Sequence, residues 1–283
     1  MNNVIKRIAN AKHIVVIAPQ NPNADSLGSA SAMYSYLLQA HKKVSFFCVK
    51  KDINQKYSFL PWFDKIRVSF PISADLAISF ACGSHNEIAQ IIECDLINID
   101  SNESNKKFGN INLVDASCIS TAEVVYSFFK THKVTINPKM ATALYAGLLE
   151  SSNGFLSRKL KGTTIACIQE LIGYKADVHS SNRFVMQYQT LAGLRLKAIM
   201  LSNMRLLNNA EIAFFSVTDE DVKKCAALEE DTLSALEEAL YLPTVKVSVL
   251  LRENTDTMRV HSLDISINKN IKKQIIDIIK KEI

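Results

Sequence analysis

The sequence predicts an α/β fold: a parallel sheet with helices on both faces in the N-terminal part, then a smaller α+β unit. Three observations point that way. Short apolar runs without polar alternation recur at 13–18, 75–80 and 96–99, the pattern of strands buried on both faces. Segments of helical periodicity separate them, and strands alternating with helices imply parallel pairing. Beyond about Asp177 the pattern changes to strand pairs set among helices, which implies an antiparallel sheet.

Each element follows from its local composition. Residues 13–18 (HIVVIA) form the first strand, and 26–40 a helix with Leu27, Met33, Tyr34, Leu37 and Leu38 on one stripe. Residues 43–49, rich in Val and Phe, make a second strand. Residues 75–80 and 96–99 are two more strands, with a helix expected between them at 86–93. A helix at 121–131 has Ser120 or Thr121 as its N-cap. Asn137-Pro138 opens the next helix, since proline suits a first turn, and it runs through Met140, Leu144 and Leu148. A further helix is expected at 163–173. Residues 183–202 keep helical periodicity and are expected to join two domains. Residues 205–217 read as a hairpin turning at Asn208-Asn209, because asparagine tolerates positive φ. Helices at 219–225 and 229–242 follow, the second stopped by Pro243. Strands at 245–252 and 258–265 flank a polar turn at 253–257, and 268–283 is a closing helix. The expected domains are 1–180 and 204–283, with a helical linker at 181–203.

Composition narrows the function classes. A chain of 283 residues with 48% hydrophobic content has material for about two buried cores. The net charge of +5 permits an anionic ligand without demanding one. None of the six cysteines forms a CxxC pair, and most sit in apolar runs, which points to small buried hydrophobes in a reducing compartment. No apolar stretch reaches the ~20 residues of a membrane span. Residues 1–7 lack the apolar core of a signal peptide, so a cytoplasmic setting without a membrane span is expected.

Loops 19–25, 81–85 and 100–105 each follow a strand, so they should line one rim, where parallel sheets bind ligands. The first carries Asn21-Pro22-Asn23-Ala24-Asp25-Ser26-Leu27-Gly28-Ser29. The strand before the third runs into Asp100-Ser101-Asn102-Glu103-Ser104-Asn105. Together these resemble motifs of the DHH/DHHA1 phosphoesterases, a RecJ-like superfamily, and the nanoRNase and pAp-phosphatase type in particular. The family's first loop reads His, two residues, Pro-Asp, one residue, Asp, then Gly-Ser. Here Pro19 replaces the His and Asn23 the first Asp, while Asp25 and Gly28-Ser29 match. Ala81 stands at the strand-ending Asp of the second motif. The Asp-His-His triplet reads Asp100-Ser101-Asn102. Ser151 falls at the fourth motif's Asp, with Glu150 beside it. In the second half, 206–251 resembles the DHHA1 domain. Its arginine strand is unmatched by Met258 to Leu263, which offers His261 and Ser262, and no glycine follows Gly193 to make its glycine loop.

The resemblance implies the two-domain fold and a family chemistry that uses manganese or magnesium. A cation pair needs clustered carboxylates and imidazoles. Here only Asp25 and Asp100 remain as motif remnants, so no metal ligand and no cofactor is expected. The cleft to watch comprises Pro19, Asn23, Asp25, Ala81, Asp100, Ser101, Asn102 and Ser151.

Plainer roles stand beside these. Asp25 suits the cap of the helix starting near Ser26, and Asp100 an Asx-turn. Gly28-Ser29 suits close helix–strand packing. His85 is placed either to replace a lost ligand or to sit solvated in a loop, and Cys82 to pack as a neutral thiol. The closing helix, with Ile271, Ile275, Ile278 and Ile279 on one stripe, suits packing on its own sheet or meeting a membrane surface or acidic partner.

The expected function is that of a degenerate homologue acting by protein or nucleotide binding, and assembly as a homo-oligomer is compatible with it. The alternatives are a residual metal-dependent phosphoesterase on short oligonucleotides or pAp-like nucleotides, and a noncatalytic nucleic-acid binder. The last predicts steep salt dependence but lacks an aromatic basic stripe.

Overall fold

The computed structural model describes residues 1–252, 257–262 and 269–282. The chain divides into two compact units, Met1–Tyr188 and Gln189–Ile283.

The first unit runs α1 (Asn2–Asn10), β1 (His13–Ile17), α2 (Ala24–Gln39), β2 (Lys43–Phe47), β3 (Ile66–Arg67), β4 (Leu76–Phe80), β5 (Asp95–Asp100), β6 (Ile111–Val114), α3 (Thr121–Thr131), α4 (Pro138–Ser151), α5 (Gly162–Gly173) and α6 (Val178–Val185). Its six strands lie in the order β3-β2-β1-β4-β5-β6, and every pairing is parallel. Val16 sits between Phe46 and Ile78 in register. Period-2 alternation divides the sheet's side chains between two cores. Ile14, Val16, Ile78, Phe80, Ile97 and Ile99 enter the large core with α1 to α5. Val15, Ile17, Phe47, Ala77 and Leu96 form the other, closed by Cys82 and Ile88 with Phe70, Ile92, Cys94 and Phe108.

Those closing residues lie on loops. Among the described residues, helices therefore cover one face of this sheet and loops the other, which corrects the expectation of helices on both faces. The reason lies partly at 86–93. No α-helix forms there, only the 3-10 turn His85–Glu87. The Glu87 carbonyl accepts the Gln20 N–H at 2.8 Å, so it is taken from any helical ladder, and Ala89 adopts a left-handed φ of 52°. Helix α1 and strands β3 and β6 were not anticipated; the two strands are two and four residues long, too short for a pattern to register.

The second unit runs α7 (Leu191–Ser202), β7 (Arg205–Leu207), β8 (Ile212–Val217), α8 (Asp219–Cys225), α9 (Thr232–Ala239), β9 (Val247–Arg252), β10 (Thr257–His261) and α10 (Lys269–Glu282). The hairpin β7–β8 forms as expected, with Asn208 and Asn209 at φ of 51° and 53°. The sheet order is β10-β9-β8-β7. It is mixed rather than antiparallel, because β8 and β9 pair in parallel. The helical connection α8–α9 carries the chain back to start β9 beside the start of β8, which only a crossover permits. The expected helix at 229–242 is shorter, a 3-10 turn followed by α9.

The helical segment expected at 183–202 breaks into α6 and α7. Helix α7 buries Leu196 and Met200 in the second unit's core with Phe215, Leu236 and Leu250. Ile275 and Ile279 of α10 are buried against Val247 and Val249, so this part of its apolar stripe packs on its own sheet, while the side chain of Ile271 lies outside the described residues. Most of the turn expected at 253–257 and the end of the strand expected at 258–265 lie outside the described residues. Among the described residues no helix is long and apolar enough to cross a membrane.

Candidate functional site

Beyond the carboxyl end of β1, Pro19, Gln20, Asn21, Asn23, Ala81 and Glu87 line a depression of ≈ 200 Å³. It lies where the strand order reverses between β1 and β4, the place where open α/β sheets take ligands. Ala81 follows β4 in a left-handed conformation, φ 51°.

Asn23 is the N-cap of α2. Its Oδ1 accepts the Ser26 N–H at 2.9 Å, and Ser26 Oγ accepts the Asn23 N–H at 3.0 Å, a reciprocal capping box. Asp25 therefore does not cap its own helix, which corrects that reading. It lies in the first turn of α2, buried, and caps α3 instead. Its Oδ2 accepts the Thr121 N–H at 2.9 Å and its Oδ1 the Ala122 N–H at 2.8 Å. These are N–H groups with no partner inside α3. Burial nevertheless pushes the Asp25 carboxyl up to about 6. Desolvation outweighs the two N–H bonds, and the Asp100 charge adds to it.

Asp100 ends β5, also buried. Its Oδ1 accepts N–H bonds from Ser101 at 2.7 Å and Asn102 at 3.2 Å, the Asx-turn geometry. Asn105 Nδ2 donates to its Oδ2 at 2.6 Å and also reaches Asn98 Oδ1 and the Cys82 carbonyl, both at 2.9 Å. Thr121 brings the two aspartates together: its N–H serves Asp25, and its hydroxyl lies 3.4 Å from Asp100 Oδ1. Asn102 turns its own Oδ1 onto the Ser104 N–H at 3.0 Å.

Ser151 is the last residue of α4 and half-buried. Its neighbour Glu150 reaches back to the start of α2. One oxygen accepts the Ala24 N–H; the other takes Lys56 Nζ at 3.3 Å and the Tyr57 hydroxyl at 3.0 Å. His85 is exposed, its ring edge-on to Phe108 at 5.9 Å. Cys82 is fully buried, and burial drives its thiol pKa far up, so it packs as a neutral group.

Two divalent ions need a cage of several anionic or imidazole donors. Here the oxygens of Asp25, Asp100 and Glu150 already accept internal hydrogen bonds. Among the described residues no group of three or more His, Cys, Asp or Glu side chains is arranged to hold a metal ion. The residues present do not fit the pair.

Of the residues singled out from sequence, Pro19, Asn23 and Ala81 line the depression, while Asp25 and Asp100 meet beside it at Thr121. Asn105 and the start of α3 join the site, although the sequence marks the first only as part of the loop after β5 and the second only as a helix cap. Lys56 and Tyr57 were missed; they sit on a single 3-10 turn, Gln55–Tyr57, which has no periodic signature.

Residues 13–148 match the model of the DHH family, N-terminal domain. The chain is 22% identical over 267 residues to the "Bifunctional oligoribonuclease and PAP phosphatase NrnA" of Bacillus subtilis, covering 91% of this chain and 83% of that protein. In fold it is similar to an exopolyphosphatase-related protein from Bacteroides fragilis, with a TM-score of 0.86 at 19% identity over 99% of this chain and 95% of that one. It is also similar to RecJ of Thermus thermophilus in complex with Mn2+, with a TM-score of 0.53 at 12% identity over 97% of this chain and 48% of that one.

Proposed function

We propose, from the match of residues 13–148 to the DHH family's N-terminal domain, that the chain is a degenerate member of this phosphoesterase family that acts by binding a protein or a nucleotide rather than by hydrolysis. One observation carries this reading. Both aspartates that survive from the family's motifs are consumed as internal hydrogen-bond acceptors, Asp25 by the start of α3 and Asp100 by its own loop and Asn105. Those bonds fix the orientation of each carboxylate and leave only its remaining lone pairs for a cation. Six free cysteines, four of them buried, accord with a reducing, cytoplasmic setting.

The test is metal analysis of the purified protein together with turnover assays on pAp and short oligonucleotides, with and without added manganese. The expected result is no stoichiometric metal and no cleavage above a blank. Manganese bound at two ions per chain with turnover would refute it.

The second reading, a residual metal-dependent phosphoesterase on pAp-like nucleotides or short oligonucleotides, is favoured by the activities in the name of the Bacillus subtilis relative. It requires activity that chelators remove and that substitution of Asp25 abolishes with folding intact.

A further inference from the structure

Asp25, Asp100 and Glu150 lie at the ends of the elements around the strand-end rim, and among the described residues no cation-binding cage surrounds them, so their charge needs another source of compensation. For two of them the donors are neutral. Asp25 takes backbone N–H groups, and Asp100 takes backbone N–H groups and an amide. Glu150 differs. Its partners are the Lys56 ammonium at 3.3 Å, the Tyr57 hydroxyl at 3.0 Å and the N–H of Ala24, from separate segments of the chain.

The turn that carries Lys56 is itself fixed. Asn54 Oδ1 accepts the Lys56 N–H at 3.0 Å, and Tyr57 is buried. The ammonium also lies 4.7 Å from the centre of the Tyr57 ring. The two charged side chains are only 27% and 22% exposed, too shielded for the pair to be an ordinary surface ion pair.

We propose that Lys56 is the resident counter-cation of this crevice, holding Glu150 across the start of α2 so that the strand-end loops keep their arrangement without a divalent ion. Lys56 is a positioning residue here, acting through Glu150. The proposal rests on the metal-free reading above.

The experiment compares thermal unfolding of the full-length protein with Lys56→Met, Lys56→Arg and the double variant Lys56→Met/Glu150→Gln, each with EDTA and with millimolar manganese chloride. Lys56→Met is expected to lower the midpoint by about 2–4 °C, the shift that ~1 kcal/mol gives in a domain of this size. Lys56→Arg, which keeps the charge, should retain most of that stability. The double variant should lie above the single one, since it no longer buries an unpaired carboxylate. Manganese should recover part of the loss in Lys56→Met and leave the wild type unmoved. Equal loss in Lys56→Met and Lys56→Arg, no loss in either, or a manganese shift as large in the wild type as in Lys56→Met would overturn the assignment. The turnover assays are a separate readout, so cleavage by the wild type would count against the noncatalytic reading whatever the variants do.

Discussion

Asp25 shows how a side chain can keep its place in a motif and change its task. It remains two positions beyond Asn23, but its carboxylate serves a helix from another part of the chain. Folding raises its pKa from 3.8 to about 6. A raised carboxyl pKa contributes stability that is full below pH 3.8 and is lost as pH rises through 6, because the unfolded chain ionises first. The stability difference between wild type and Asp25→Asn should therefore shift against the wild type by on the order of 2–3 kcal/mol between pH 4 and pH 7, at ~1.4 kcal/mol per pKa unit. Urea titrations at both pH values measure this, and a pH-independent difference would show that burial does not govern the group. Thiols belong to the same scale. Burial pushes Cys48, Cys82 and Cys167 above the ordinary thiol range. Iodoacetamide applied to the native protein should leave these three unmodified, and mass spectrometry after denaturation should find them reactive.

At the scale of elements, the close approach of α2 and α4 decides the site's geometry. Gly28 and Gly147 make it possible. A Cβ at Gly28 would run into the Ala143 carbonyl oxygen; one at Gly147 would lie 2.8 Å from Ala122 Cβ and 3.0 Å from Asp25 Oδ1. Gly28 thus serves helix–helix rather than helix–strand packing, and Ser29 turns its hydroxyl to Asp25 Oδ1 at 3.5 Å. The contact lets Asp25 reach the start of α3 and Glu150 the start of α2. Gly147→Ala should cost about 1–3 kcal/mol by overpacking, and because the strain falls on Asp25 it should also blunt the pH dependence of stability just described. Urea denaturation at two pH values reads both. The connection at 82–94 shows the opposite limit: Ile88 is buried on the sheet and Ile91 stays exposed, so the apolar residues that suggested a helix serve as loop cover.

At the scale of the molecule, each unit has its own core. Residues 186–190 between α6 and α7 are exposed and include Tyr188. Exposed links of this kind are the first to be nicked by proteases. Brief chymotrypsin treatment should cleave after Tyr188 before any other aromatic site, with the fragments identified by mass; first cleavage within α2 or β4 would contradict the division into units.

The sequence by itself determined the main strands of the parallel sheet, most of the helices and the hairpin at Asn208-Asn209. Those features rest on local periodicity, turn chemistry and residue identity, and all three are readable along the chain. Only the tertiary structure decided what the surviving groups do. That Asp25 caps α3 and that Lys56 meets Glu150 are contacts between residues 96 and 94 positions apart. The same holds for the loop-covered face and the parallel β8–β9 pair. A hydrogen bond's partner is chosen by where folding brings donors and acceptors together, and no pattern within a single segment encodes that.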